Sequence, residues 1–330
     1  MPRAAILTYD GCYSSSVGGF ADILQIANSH LKLERAPTSD LFDWCFVSQS
    51  GEPVIASNGL PLHNRKFGPR ERFDLVFVPS FHYGGHRQFD DFLERQADAC
   101  AWLISQWRSG AYLAANCTGT FLVAKTGLLD GHTATTTWWL ERQFRTKFPS
   151  VDLQLRPVLT EADRIICAGA SASYLIQTIR VIERFSGPVI ASQVAKAMLI
   201  DVSQTSQIPF LPLLAQRHHT DALVHRAQSW MQNNMAKVLR ISELAEELAV
   251  SDRTLIRRFR CVLGQTPLAY LQDLRLESAR AILETSSLSV EKVSFQVGYN
   301  DTSSFSRLFR KRVGMSPGSY RKRFQLDAAI

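Results

Sequence analysis

The last third of the chain repeats itself, and this repeat constrains the fold more than any other feature. Gly264-x-Thr266-Pro267-x-x-Tyr270 recurs as Gly314-x-Ser316-Pro317-x-x-Tyr320, displaced by 50 residues, and Arg257/Arg307 and Phe259/Phe309 share that displacement. The short apolar-periodic stretches upstream are displaced by 49, so the second copy has one extra residue in its turn. A small residue, Ala249 or Gly298, stands where the chain must reverse. Apolar spacing close to the helical period predicts helices throughout this region. They cover 223–234, 241–248 with Ser242 as cap, and a third capped by Ser251 or Asp252 and running to about 263. A longer helix starts at Thr266-Pro267 and ends near 284, followed by 289–297, 302–313 and 316–323.

A short helix, a tight turn and a second helix make a helix-turn-helix unit. In the second helix of the first copy, Leu255, Phe259 and Val262 form an inner face; in the other copy Phe305, Phe309 and Val313 do so. The outer faces hold Arg253, Thr254, Arg257 and Arg258, and Ser303, Ser304, Arg307 and Lys311. Arginine reads guanine edges in the major groove, and Ser or Thr contacts bases or phosphates. The alternative is a plain helical bundle with solvated arginines. The duplicated signature together with the charge decides against it. Residues 1–212 carry 19 basic and 19 acidic side chains and residues 213–330 carry 18 and 11, so the whole net +7 lies with the repeat.

Residues 221–325 resemble the AraC-type DNA-binding domain, in which two helix-turn-helix units are joined by a long helix. The segment RLESARAILETSSLSVEKVSFQVGYNDTSSFSRLFRKRVGMSPGSYRKRF carries the resemblance. It implies base contacts from Arg253 and Arg257 on one recognition helix and Ser303 and Arg307 on the other. Arg258, Arg260, Arg310 and Lys311 would then serve as phosphate contacts. Double-stranded DNA is the implied partner, read in two successive major grooves.

The first two thirds alternate differently. Short apolar runs at 4–8, 44–48, 75–79, 112–115 and 165–168 read as buried strands, and helical patterns at 18–33, 89–109, 138–148, 171–185 and 188–202 lie between or after them. This alternation predicts an α/β domain with a doubly wound, mostly parallel sheet, flavodoxin-like in class, over residues 1–202. Two prolines in SQTSQIPFLPLL mark a linker, placed at 203–220, and residues 221–330 form the all-α double helix-turn-helix domain.

In YLAANCTGTFLVAKTGLLDG an apolar strand runs into Cys117, then Thr118-Gly119 and a helix, the geometry of a nucleophile elbow. Helix-start amides would lower a thiol pKa there and accommodate an anion. The other five cysteines lack this context and read as ordinary buried or surface thiols. The stretch resembles the class I glutamine-amidotransferase-like fold. Followed by an AraC-type module, it resembles the GlxA family of transcriptional regulators, and AKTGLLDGHTATTTWW carries that likeness. Relatives have His at the place of Thr137, and threonine cannot act as a base near neutral pH. The resemblance therefore implies a binding pocket instead of an enzyme. It would be lined by Asp22, Phe81, His82, Cys117, Thr118, Thr137 and Trp138, and its effector would be a metabolite such as an amino acid or amine derivative. It also implies a homodimer, with RNA polymerase as a partner for an activator. A cysteine-dependent hydrolase or amidotransferase, or a thiol redox sensor using Cys117, is the competing reading.

No cofactor or metal is expected. Gly18-Gly19 lacks phosphate-loop spacing, and His218-His219 with His225 lacks a complete ligand set. The N-terminus reads as a buried strand instead of a secretion signal, no apolar run is long enough to span a membrane, and six scattered cysteines make no disulfide framework. A cytoplasmic location is expected.

Overall fold

The computed structural model describes residues 1–33, 41–68, 70–214, 219–237 and 240–325. The chain divides into two compact units, Met1–Gln207 and Ile208–Ile330. In the first, β1 (Arg3–Leu7), β2 (Asp43–Ser48), β3 (Arg65–Lys66), β4 (Leu75–Val78), β5 (Tyr112–Asn116), β6 (Leu159–Ala162) and β7 (Ile165–Ala168) form one sheet. Its order among the described residues is β6-β7-β5-β4-β1-β2-β3, parallel except for β6 against β7. Ala5 lies opposite Cys45 and Val76, and Leu113 opposite Val76 and Ile165. The strands β4 and β7 are buried at every residue, as continuous apolar runs in a sheet covered on both faces require. The strand order reverses between β1 and β4, so the loops after β1, β4 and β5 meet at the carboxyl edge of the sheet, where such folds place their sites.

The helices α1 (Ser14–Leu33), α2 (His86–Arg95), α3 (Ala97–Arg108), α4 (Gly119–Lys125), α5 (Glu141–Lys147) and α6 (Tyr174–Ala197) accompany this sheet. Several boundaries differ from expectation. The first helix starts at Ser14, because Gly18-Gly19 is helix interior; a Cβ on Gly19 would stand 2.6 Å from the Tyr174 ring. The single helix expected over 89–109 is two, broken at Gln96. Helices expected at 171–185 and 188–202 run on as α6, kinked at Gly187, whose φ of 82° no other residue type adopts readily. The edge strands β3 and β6 were not anticipated: β3 is exposed at both residues, β6 is only partly buried, and neither carries a clean apolar run.

The expected linker, 203–220, is mostly held in place. Its residues 215–218 lie outside the described residues. Gln207 is buried, and its Nε2 donates to Thr135 Oγ1 and to the Pro157 carbonyl, each at 3.1 Å. Gly169 makes room for it, since a Cβ there would be 2.3 Å from the glutamine side chain. From Ile208 the chain packs on the second unit. Arg280 donates to the carbonyls of Pro209 and Leu211, both at 2.8 Å, and Phe210 meets Phe324 edge-on at 5.0 Å. Of the two prolines that read as a linker signal, Pro209 supplies one of these carbonyl acceptors.

The second unit contains α7 (Ala222–Asn234), α8 (Ile241–Glu247), α9 (Asp252–Leu263), α10 (Pro267–Thr285), α11 (Val290–Gln296), α12 (Thr302–Val313) and α13 (Pro317–Phe324). The pairs α8/α9 and α11/α12 are the two repeats. Ser251, Thr266, Ser289, Asp301 and Ser316 each accept a hydrogen bond from a first-turn amide. Gly264 and Gly314 close α9 and α12 in the left-handed conformation. Ser242 is not a cap: α8 starts at Ile241, and Glu243 reaches back to the Arg240 amide instead. Ala249 and Gly298 both take positive φ, 54° and 91°, and a Cβ at 298 would strike the Met235 carbonyl at 2.5 Å. Each repeat has its own core. Leu255 and Phe259 centre one, with Leu263 taking the fully buried place expected for Val262; Phe305, Phe309 and Val313 centre the other. The helix α10 supplies Leu271 to the first and Leu276, Ala279 and Leu283 to the second.

Candidate nucleic-acid interface and sensing site

Amphipathicity fixes which way α9 and α12 face. Burying Phe259 and Leu255, or Phe309 and Phe305, leaves Arg253, Arg257, Arg260, Ser303, Ser304, Arg307, Arg310 and Lys311 exposed. Among the described residues, the side chains of Arg253, Arg257, Arg310 and Lys311 have no ion pair or hydrogen bond, so these cations are available to an external anion. Arg307 is lightly held by Ser304 Oγ at 3.2 Å. Thr254 is half-buried and tied to the Ser251 hydroxyl at 2.9 Å. Arg258 differs from its neighbours. It pairs with Asp221 at 2.8 Å, and Asp221 also caps α7. The Val224 amide and then Arg258 hold the Asp221 carboxyl below the usual carboxylate range. Arg258 therefore docks α9 on α7, and contact with a phosphate would require giving up that pair.

In the first unit, Cys117 has φ 52°, the strained turn that an elbow requires. Gly119 follows because a Cβ there would lie 2.5 Å from the Val78 carbonyl and 2.6 Å from that of Pro79. The expected activation is absent. Cys117 is 1% exposed, and burial pushes its thiol up to about 12, against the smaller opposing effects of the Thr118 amide and the Thr137 hydroxyl. Desolvation of the thiolate outweighs the few amides of a seven-residue helix. Thr137 Oγ1 faces the thiol short of hydrogen-bonding geometry and is left an unpartnered buried polar atom.

The residues expected to line one pocket are divided. Phe81, Cys117, Thr118 and Thr137 are interior; Thr118 Oγ1 bridges the Phe81 backbone at 2.7 and 2.9 Å, and the neighbouring Thr136 bonds the Cys117 carbonyl at 2.7 Å. Phe81 packs on Phe92 at 4.1 Å. Trp138 is half-buried and edge-on to Trp139 at 5.4 Å. His82 and Asp22 are exposed, and Asp22 lines a separate groove of about 580 Å³ with Tyr174. Tyr13 was missed. It lies near enough to Cys117 for a thiolate there to raise its hydroxyl pKa, after the larger effect of burial. Its place in the β1–α1 loop, beside the strand-order reversal, was the available signal.

A family model described as a helix-turn-helix domain matches residues 244–323. The HTH-type transcriptional regulator CdhR of Pseudomonas aeruginosa is 30% identical over 315 residues, spanning 95% of this chain and 90% of that protein. The chain belongs to the AraC family of transcriptional regulators. Another such regulator, GbdR of the same species, is 26% identical over 288 residues, 86% of this chain and 76% of its own. Drosophila melanogaster DJ-1beta matches the first unit's fold, with a TM-score of 0.50 at 18% identity, covering 61% of this chain and 98% of that one. This AraC-family protein thus joins a DJ-1/amidotransferase-like domain to a DNA-binding domain. Both of these curated relatives are described as transcriptional regulators. Among the described residues no helix is long and apolar enough to cross a membrane, and His218, from the histidine grouping noted above, lies outside them.

Proposed function

We propose that the chain is a one-component, cytoplasmic regulator in which a metabolite bound by the first unit controls how the second engages a promoter. The carrying observation is that both recognition helices bury one face in their own core and present uncommitted guanidinium groups on the other. Arg253 and Arg257 read one major groove, Ser303 and Arg307 the next, and Arg310 and Lys311 hold phosphates. The first unit pairs with a second copy in a homodimer, and RNA polymerase is the further partner if the protein activates. Selecting genomic fragments with the full chain tests this. The bound set should share two short elements about 10 base pairs apart, with affinity falling steeply as salt rises. Recovery of unrelated fragments, or of a single element, would defeat the reading.

Thr137 in place of a histidine base, together with the buried thiol, supports a non-enzymatic elbow. At a pKa near 12, the thiolate fraction at pH 8 is on the order of 10⁻⁴. Alkylation of Cys117 should be about 10³-fold slower than that of the exposed Cys261 and keep rising beyond pH 9. A plateau below pH 9 would reinstate the hydrolase or redox-sensor reading.

A further inference from the structure

The sheet edge carries a second opening that the elbow does not explain. A cleft of about 970 Å³ lies where the carboxyl ends of β1 and β2 meet α2 and α3. Its inner wall is aromatic. Phe67 stacks on Trp102 at 4.7 Å, and Phe92 meets Tyr9 at 5.2 Å. Its rim is charged, and the two signs are in different states. Asp10 accepts from the Ile55 amide at 2.8 Å and Asp98 from the Gln49 side chain at 2.7 Å, so both acids are engaged within the fold. Lys66, on edge strand β3, and Arg95, in the last turn of α2, are exposed, and among the described residues their side chains have no partner. Trp102, a wall residue only 4% exposed, has an indole N–H with no acceptor. That N–H is closed to solvent, so Trp102 offers the cleft the face of its ring and not a hydrogen-bond donor. The uncommitted charges on the lining are therefore two cations above an apolar floor, in a cleft of small-molecule size.

We infer that this cleft binds an organic monocarboxylate with an aryl or alkyl body, its carboxylate held between Lys66 and Arg95 and its body against Phe67 and Trp102. Asp10 and Asp98 are each already held by one donor of the fold whereas Lys66 and Arg95 are not, so a carboxylate should bind here in preference to a simple ammonium ligand. The assignment rests on the reading of the first unit as a sensor and supplies the location and ligand class that the elbow residues do not. An Arg guanidinium grips a carboxylate through two parallel bonds, and Lys66 adds a point charge.

Calorimetry on the full chain with phenylacetate and hexanoate, against phenethylamine and hexylamine of matched size, tests the cleft. Both carboxylates should bind, and the amines should bind at least about tenfold more weakly. Lys66→Ala and Arg95→Ala should each weaken carboxylate binding roughly tenfold, and Arg95→Lys less, since it keeps the charge. Both positions are exposed, so unchanged melting will show that the variants fold. No carboxylate binding at about 10 mM, equal binding of the amines, or equal binding by the double variant would overturn the assignment. Titrating a selected promoter fragment with and without phenylacetate separates the two readings. If phenylacetate fills the cleft and DNA affinity is unmoved, the cleft stands and the sensor reading falls. If a metabolite extract shifts DNA affinity equally in wild type and double variant, the sensor reading stands and the cleft falls.

Discussion

Replacing Arg257 and Arg307 together by alanine should lower affinity for the selected site by about 2–6 kcal/mol, between roughly 30-fold and 10⁴-fold, while leaving the fold intact. Each guanidinium contributes about 1–3 kcal/mol of base discrimination when it meets a guanine edge. The two lie on different helices with separate cores, so their losses should add. Neither supports the packing, since both are exposed on the faces opposite Phe259 and Phe309. Binding to random DNA should change far less, because it depends on phosphate charge. Lys311→Ala is the contrasting variant. It should weaken specific and random sites alike and reduce the salt dependence by about one ion. Direct titration of both DNAs across salt concentrations checks the pattern. If the double arginine variant still separates the selected site from random sequence as the wild type does, these helices do not read bases.

Arg280→Ala should destabilise the second unit by about 3–5 kcal/mol, because it removes one member of a buried charged network. Arg280 is 9% exposed on α10. Its Nε donates to the Tyr320 hydroxyl at 2.8 Å, and its two terminal nitrogens serve Glu277 at 3.2 Å and the carbonyls of Pro209 and Leu211. Glu277 also accepts from the Leu213 amide, and Tyr320 donates to Glu284. Without the guanidinium, the Pro209 and Leu211 carbonyls lose this donor in a place where water does not readily replace it, while Glu277 keeps the Leu213 amide. At an m-value of about 1–3 kcal/mol/M, the urea midpoint of the second unit should fall by more than roughly 1 M, with the first unit's transition unmoved. Arg280→Lys keeps the charge but not the fork and should fall between. A loss under about 1 kcal/mol would show that segment 208–213 is held by something else.

What the sequence disclosed depended on how local each signal was. The helices α7 to α13 announce themselves through residues within a few positions of one another: Ser251 caps by bonding Thr254, Gly264 ends α9, and Leu255 and Phe259 lie one turn apart. The buried strands of the first unit are equally plain, since β4 and β7 are apolar from end to end. The elbow turn was also legible, because strand, Cys117, Gly119 and helix are contiguous. Its chemistry was not. The burial that raises the thiol depends on a fold that brings Tyr13, Phe81 and Thr137 together from distant segments, and no spacing rule reports that sum. Arg258 shows the same limit. It looks like its free neighbours, yet Asp221, 37 positions earlier, engages it. The cleft with Lys66 and Arg95 was invisible for a related reason: one cation sits on a two-residue edge strand and the other at a helix end, and neither belongs to a periodic pattern.

Because α10 is shared by both repeat cores, the protein works as a calliper as well as a reader. Its 19 residues span about 28 Å at 1.5 Å per residue, and roughly the last three turns are locked by Leu276, Ala279 and Leu283. The jaws cannot open independently. Sliding one DNA element by a single base pair rotates it about 35° around the duplex axis, so the mismatch must be absorbed by twisting or bending the DNA. On the proposed reading of two DNA elements, promoters should then be sorted by helical phase, including at base pairs that no side chain touches.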